Sequence, residues 1–325
     1  MTTNRRPPLS SGALDRDART RMDPERLAAA WRDPAARVLR LRGVEVPVIA
    51  ADGGEALALL PAAEFGGAFA GSGPEGRAGH LFLGRRDGAP VFGVAESVDD
   101  GAERVAGLAG ETWRHPFVLG TALDETEREL IAVLSSLTRW HESARFSARD
   151  GGLTEPMQGG WARRDAHGGE HFPRTDPAVI VLVEHEGRVL LGSNALWETG
   201  RFSLLAGFVE GGESLEQTVL REVYEEAGVR LGEVAYVASQ PWPFPRSLML
   251  GFLAKLAPDQ DPEALRPDPE EISELRWFSR EELRENGGSF TFPMSMSIAH
   301  WMLEEWVEGR IGEAAAALSE GSVGR

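Results

Sequence analysis

Cysteine is missing from all 325 residues, which excludes disulfides and thiolate metal sites. No apolar run approaches the roughly 18 residues that a membrane-spanning helix needs, and the opening MTTNRRPPLSSG is polar where a secretory signal would be apolar. A cytoplasmic protein without a membrane partner is therefore expected. Positive charge is also scarce: 34 Lys and Arg face 51 Asp and Glu, a net charge of -17. That imbalance argues against a general polyanion-binding surface and suits a protein that meets phosphates through bound cations. What is present, 42% hydrophobic residues in a chain of this length, suffices for two domains with a core each.

The densest chemistry lies in residues 207–229, GFVEGGESLEQTVLREVYEEAGV. Ser214 is a natural N-cap, Gln217 completes a capping box, and Gly228 is the residue type that closes a helix in the left-handed conformation, which predicts a helix over 215–227. Leu215, Val219, Leu220, Val223 and Ala227 recur as one apolar face destined for a sheet. Glu222, Glu225 and Glu226 share another face. Like charges three and four apart destabilise a helix by ~0.2–0.5 kcal/mol per pair unless a cation sits among them. With only oxygen donors on offer, hard divalent ions such as Mg2+ or Mn2+ are the matching cations. Gly207, Gly211 and Gly212 let the loop backbone approach a ligand, and Glu213 reaches back toward the helix.

Along the rest of the chain, residues 1–24 have little to bury and read as a flexible tail. A short helix is expected at 25–31, an alternating strand at 38–49, further strands at 57–60, 80–83 and 91–94, and an amphipathic helix at 124–146 that turns Leu130, Ile131, Val133, Leu134, Leu137 and Trp140 inward. His80, His115 and His141 lack ligand spacing and read as packing or surface residues. Residues 25–146 thus form an α/β scaffold or dimerisation domain. Residues 147–176 are glycine-rich and too poor in aliphatics to form a core of their own. From 177 to 310 a compact domain follows, with a hairpin at 178–184 and 188–191, strands at 202–206, 234–239, 248–256 and 272–278, a helical turn at 280–284 and a last helix at 295–307 carrying Ile298, Met302 and Trp306. Residues 311–325 should fray.

Residues 239–247, SQPWPFPRS, hold three prolines that favour an extended backbone, two flat rings in Trp242 and Phe244, and polar ends in Gln240, Arg246 and Ser247. Such a loop suits the stacking of a planar base, and equally a proline-stiffened turn with its aromatics packed inward.

The first of these stretches, G-x5-E-x7-R-E-V-x-E-E-x-G-V, resembles the Nudix box with every defining position filled. The second resembles SQPWPFPxS of the NADH pyrophosphatase (NudC-type) group, and TEP, GGWARR, EH-aromatic-PR and TDPAVI within 147–176 resemble the zinc ribbon of that group. The resemblance implies an α+β protein: a Nudix α/β/α sandwich with a mixed sheet, preceded by a smaller α/β domain and a degenerate zinc-ribbon-like segment. It implies metal-dependent hydrolysis of the pyrophosphate of NADH or NAD to AMP and nicotinamide mononucleotide, with removal of NAD caps from RNA as a companion activity. A nucleotide sensor or scaffold, and a broader ADP-ribose-type pyrophosphatase, are the alternatives.

By the same resemblance, Glu222, Glu225, Glu226, Glu271 and the carbonyl of Ala206 hold the metal. Glu225 is the favoured base, with Glu222 close behind, and Arg221 orients the glutamates. Phe208 and Trp242 stack the nicotinamide or another base, Trp242 coming from the partner subunit of a homodimer. Gln240, Pro241, Pro243, Phe244, Pro245, Arg246, Ser247 and Ala299 complete the substrate contacts. Phe172 stands where the group often has a tyrosine, and Gly160 where some members have a carboxylate. The four zinc-ligand positions fall on Ser147, Asp150, Asp165 and His167, so no structural zinc is expected; Trp161, Phe172 and Pro173 would hold the segment by packing.

Overall fold

The computed structural model of the chain describes residues 5–66, 68–73, 77–96, 105–285, 288 and 290–311. Two compact units emerge: an N-terminal unit of Ser11–Thr175 joined by Trp242–Arg246, and a C-terminal unit of Met1–Ser10, Asp176–Pro241 and Ser247–Arg325. Of the 147–176 segment, residues 147–175 group with the N-terminal unit.

The N-terminal unit runs α1 (Ala18–Met22), α2 (Pro24–Trp31), β1 (Arg37–Arg42), β2 (Val46–Ala51), β3 (Gly54–Leu57), β4 (Leu60–Pro61), β5 (Leu81–Arg86), β6 (Ala89–Glu96), β7 (Thr112–Arg114), α3 (Pro116–Leu119), α4 (Glu125–Ser143), β8 (Glu155–Met157), β9 (Ala162–Arg164) and β10 (Glu170–His171). Its sheets have the orders β4-β1-β6-β5, β3-β2-β7 and β10-β9-β8. Leu39 and Leu41 of β1 pack with Leu130, Leu134 and Leu137 of α4, whereas Val38 packs with Leu27 and Trp31 of α2. With both faces covered, β1 is buried throughout its middle. The strand expected over 38–49 is in fact two, in different sheets: Gly43, at φ 62°, turns the chain, and Arg42 and Glu45 exchange both backbone hydrogen bonds across it.

Of the tail expected at 1–24, the described residues 5–24 are ordered. Leu9 and Leu14 are buried. The buried Glu129 of α4 accepts hydrogen bonds from the backbone N–H groups of Gly12, Ala13 and Leu14 and from the Ser11 hydroxyl. Asp17 caps α1 and pairs with Arg85 Nε at 2.6 Å. A single distant carboxylate thus orders backbone that the segment's own composition gives no reason to order.

The C-terminal unit contains β11 (Asp176–His185), β12 (Arg188–Asn194), β13 (Leu205–Phe208), α5 (Leu215–Ala227), β14 (Leu231–Trp242), β15 (Ser247–Leu256), β16 (Ile272–Ser279), α6 (Arg280–Arg284) and α7 (Ile298–Val307). Its mixed sheet has the order β14-β15-β11-β12-β16, with β13 also on β11. β11 is parallel to β15 and antiparallel to β12 and β13. The alternation of β11 divides the core: Val179, Val181 and Val183 meet Val219, Val223 and Ala227 of α5, while Ile180 and Leu182 meet Ile298, Met302 and Trp306 of α7. Each fully buried Val, Leu or Ile contributes ~1.5–3 kcal/mol, so α5 is clamped to the sheet by one stripe and its other faces are left for chemistry. Leu220, expected inside that stripe, is 42% exposed because it lies one residue past the i, i+4, i+8, i+12 row. The end of the chain is tied down to Ile311, which is buried; residues 312–325 lie outside the described residues.

Candidate active site

The helix of the box spans Leu215–Ala227 as its end signals predict, with a full capping box between Ser214 and Gln217 and Gly228 closing it at φ 70°. Just before it, Glu213 accepts the Glu210 N–H at 3.0 Å, which bends the loop back over the helix. All five guanidinium protons of Arg221 are engaged. Its Nε and NH2 donate to the two oxygens of Glu213 at 2.6 and 2.7 Å, NH1 donates to Glu222 at 2.9 Å and to Glu225 at 3.0 Å, and NH2 also donates to the Phe208 carbonyl at 3.0 Å. The bidentate pair holds the Glu213 carboxyl down at about 2, and the surrounding acids raise the Arg221 guanidinium.

Glu226 stands apart from that fork. It is 8% exposed, and only the Ala206 N–H, at 3.2 Å, hydrogen-bonds its carboxylate. Burial, then the charge of Glu222, pushes its pKa to about 8, with Glu271 and Asp268 adding to the push. Glu222 is also raised, first by burial and then by Glu225 and Glu271 acting against Arg221. The box therefore joins a fork satisfied by Arg221 to a second group of acids that repel one another. Asp268 belongs to this second group and was missed in the sequence; it sits in the Asp-Pro-Glu-Glu run where only Glu271 was singled out. Gly207 matters here because a Cβ on it would collide with the Glu222 carboxylate, so only glycine leaves that carboxylate its place against β13.

These residues fit a hard divalent cation, since the buried Glu226, repelled by its neighbouring acids, needs a counter-ion and every donor is oxygen. Among the described residues no three acids or histidines are gathered at one point as metal ligands, and Glu222 and Glu225 are turned onto Arg221. The ribbon positions do not fit zinc. Three of the four offer oxygen, and the four side chains are spent on neighbours: His167 Nε2 lies 2.9 Å from Asp150, Asp165 accepts the His167 and Gly169 N–H groups at 2.9 and 2.8 Å and meets His171 at 3.1 Å, and Ser147 Oγ accepts the Arg149 N–H.

What orders the ribbon instead is a buried network. The Arg163 guanidinium, wholly buried, donates to Thr154 Oγ1 at 2.6 Å, to the Thr154 carbonyl at 2.7 Å and to His141 Nδ1 at 2.8 Å, and His141 Nε2 donates to the Gly160 carbonyl at 2.8 Å. Trp161 donates to the Phe82 carbonyl at 2.7 Å and lies under Arg21. Phe172, expected to help by packing, is 54% exposed.

The second motif is not one extended loop. Pro241 and Trp242 end β14, residues 243–246 form the turn of a hairpin, and Ser247 opens β15. Trp242 and Phe244 pack with Phe117 in the N-terminal unit. Pro243 is buried, whereas Pro245 and Arg246 are exposed. Two further expected substrate contacts are buried. Gln240 is fully buried: its amide donates to the carbonyls of Pro8 and Met296 at 2.7 and 2.8 Å and accepts the Ile298 N–H at 2.7 Å, so it fixes the start of α7. Ala299 is likewise buried in the core. Phe208 keeps an exposed ring at the end of β13, the edge to which Arg221 is anchored.

Comparison with known proteins agrees with this geometry. The family described as "NUDIX domain" matches residues 173–296. A protein of Mycobacterium bovis named "NAD-capped RNA hydrolase NudC" is 39% identical over 92% of this chain and 94% of its own length. "NAD-capped RNA hydrolase NUDT12" of Homo sapiens is 37% identical over 57% of this chain and 43% of its own. Among solved structures, a NUDIX hydrolase from Nitrosomonas europaea is 27% identical, with a TM-score of 0.42, covering 51% of this chain and 92% of that one. The box with its arginine fork, the mixed sandwich that carries it and near full-length likeness to a NudC protein place the chain in the Nudix hydrolase family, among its NudC-type members.

Proposed function

We propose that the chain hydrolyses the pyrophosphate bond of NAD(H), giving AMP and nicotinamide mononucleotide, and that it releases NAD caps from RNA by cutting the same bond. The observation that carries this reading is the buried carboxylate of Glu226, repelled by Glu222, Glu271 and Asp268, beside the Arg221 fork. Glu222, Glu225, Glu226 and Glu271, with the carbonyl of Ala206, would hold Mg2+ or Mn2+. Bound there, the ions neutralise phosphate oxygens, act as Lewis acids and lower the pKa of water.

The chain's own part is positioning and proton transfer. Arg221 keeps Glu213, Glu222 and Glu225 in register on one side of the helix. Glu225, half in solvent and held by a single contact to Arg221, is the group best able to swing free and take a proton from the attacking water; coupled acids share that titration, with Glu222 next in line. Phe208 and Trp242 supply flat faces for the bases, in a homodimer whose second copy provides Trp242. Product analysis with Mg2+ or Mn2+ across NADH, NAD, ADP-ribose and NAD-capped RNA tests the reading: AMP and nicotinamide mononucleotide from NAD(H) support it, and inertness toward all four refutes it.

A further inference from the structure

Trp242, read above as a stacking surface for the nicotinamide, is itself stacked. The Phe117 ring lies 5.2 Å from it, centre to centre, with the planes only 15° apart. Phe244 stands perpendicular to both, 4.9 Å from Phe117 at 79° and 5.4 Å from Trp242 at 80°. Parallel rings joined by a third ring at right angles form a cluster in which no ring can turn alone without losing contact to the other two. The favourable quadrupole arrangements, offset-stacked and edge-to-face, are both used.

Phe117 is anchored in turn. It occupies the second position of α3, where His115 is the cap: His115 Nδ1 accepts the Phe117 N–H at 3.1 Å, and the His115 ring meets the Phe117 ring edge-on at 4.5 Å. Pro116 at the first position of the turn has its φ preset and is buried together with Leu119. Phe117 is thus held by its cap and by the buried Pro116 and Leu119 on either side of it, whereas Trp242 sits on a half-buried hairpin. An indole on such a hairpin has two rotatable side-chain bonds. A base that stacks on it must first stop that rotation, unless another ring already has.

We propose that Phe117 is a positioning residue for nicotinamide recognition: it occupies one face of Trp242 and so presents the opposite face at a fixed inclination. The scaffold unit would then contribute to substrate binding through a residue that does not touch substrate. The proposal rests on Trp242 being the nicotinamide-stacking ring, and the test separates the two.

Steady-state kinetics of full-length Phe117→Ala, Phe117→Leu, Phe117→Tyr, Trp242→Ala and the Phe117→Ala/Trp242→Ala double variant would be compared on NADH and on ADP-ribose, which lacks the nicotinamide. Loss of one aromatic pairing predicts a roughly 3- to 10-fold rise in KM for NADH in Phe117→Ala and Phe117→Leu. The expectation includes little change in kcat, little change on ADP-ribose, recovery in Phe117→Tyr, and no further loss when Phe117→Ala is added to Trp242→Ala. Equal losses on both substrates, or losses that add to those of Trp242→Ala, would show Phe117 to be merely structural and overturn the proposal. If Phe117→Ala fails to fold, Phe117→Leu is judged by the same criteria. An unchanged KM for NADH in Trp242→Ala would instead remove the stacking role of Trp242, and this inference with it, while leaving the hydrolytic reading of the box untouched.

Discussion

Replacing Glu226 by glutamine should stabilise the metal-free protein while removing its response to metal. In the folded chain the Glu226 carboxyl is pushed to about 8, from an ordinary 4.5, by burial and by Glu222. Between those two values the folded state holds a proton that the unfolded state has released, so the raised pKa costs stability that grows as pH rises from 4.5 to about 8 and then levels off. At 1.36 kcal/mol per pH unit the cost is about 3 kcal/mol at pH 7. Glutamine is nearly isosteric, carries no charge, and its side-chain oxygen can still accept the Ala206 N–H that Glu226 accepts at 3.2 Å.

Urea unfolding in excess EDTA at pH 5, 7 and 8.5 checks this. At pH 5 the two proteins should be close in stability, at pH 7 the glutamine protein should lead by roughly 2–3 kcal/mol, and the wild type alone should lose stability between those points on account of this group. Saturating Mg2+ should then reverse the order, because a ligand at 1,000 times its Kd adds about 4.1 kcal/mol to the folded state that binds it, more than the glutamine protein's lead. A glutamine variant that is less stable at pH 7 without metal, or that keeps the wild-type pH slope, would refute the placing of a repelled carboxyl at this position.

Other outcomes follow from the same geometry. Glu225→Gln should lower turnover by ~10²–10⁴-fold with little change in Tm, and near wild-type turnover would remove Glu225 as the base. Arg221→Lys cannot reproduce the fork on Glu213, Glu222 and Glu225; losing one charge-assisted hydrogen bond of ~1.5–3 kcal/mol should cost about 10- to 150-fold in kcat/KM, read by steady-state kinetics. Burial holds His141 neutral with a pKa of about 4, so its share of stability, on the order of 3 kcal/mol, is complete above pH 6.5 and lost as pH falls toward 4. His141→Gln should flatten that acid limb in thermal melts. Extended dialysis against a strong chelator should leave the Tm of the metal-free protein unchanged, and elemental analysis finding one tightly held zinc per chain would contradict the network of Arg163, His141 and Thr154 as what orders the ribbon.

The residues that the sequence made legible are those whose partners are close in the chain. Ser214, Gln217 and Gly228 set the ends of α5 within fifteen residues of one another, and Arg221, Glu222 and Glu225 meet on the helix while Glu213 reaches them from the loop just before it. The support that Gln240 gives is not legible in its motif, because its partners Pro8 and Met296 lie 232 and 56 residues away. Glu129 is a parallel case: an ordinary acid in an amphipathic pattern, it orders a segment more than a hundred residues upstream. Asp268 was invisible for a related reason, since only the fold brings its charge to bear on Glu226. Local pattern therefore specifies the helix of the box almost completely. The supports that hold its neighbours, such as Gln240 under α7 and Phe117 behind Trp242, depend on long-range pairing that no window of sequence contains. Substitutions at those supports should accordingly alter binding while every residue of the box stays in place.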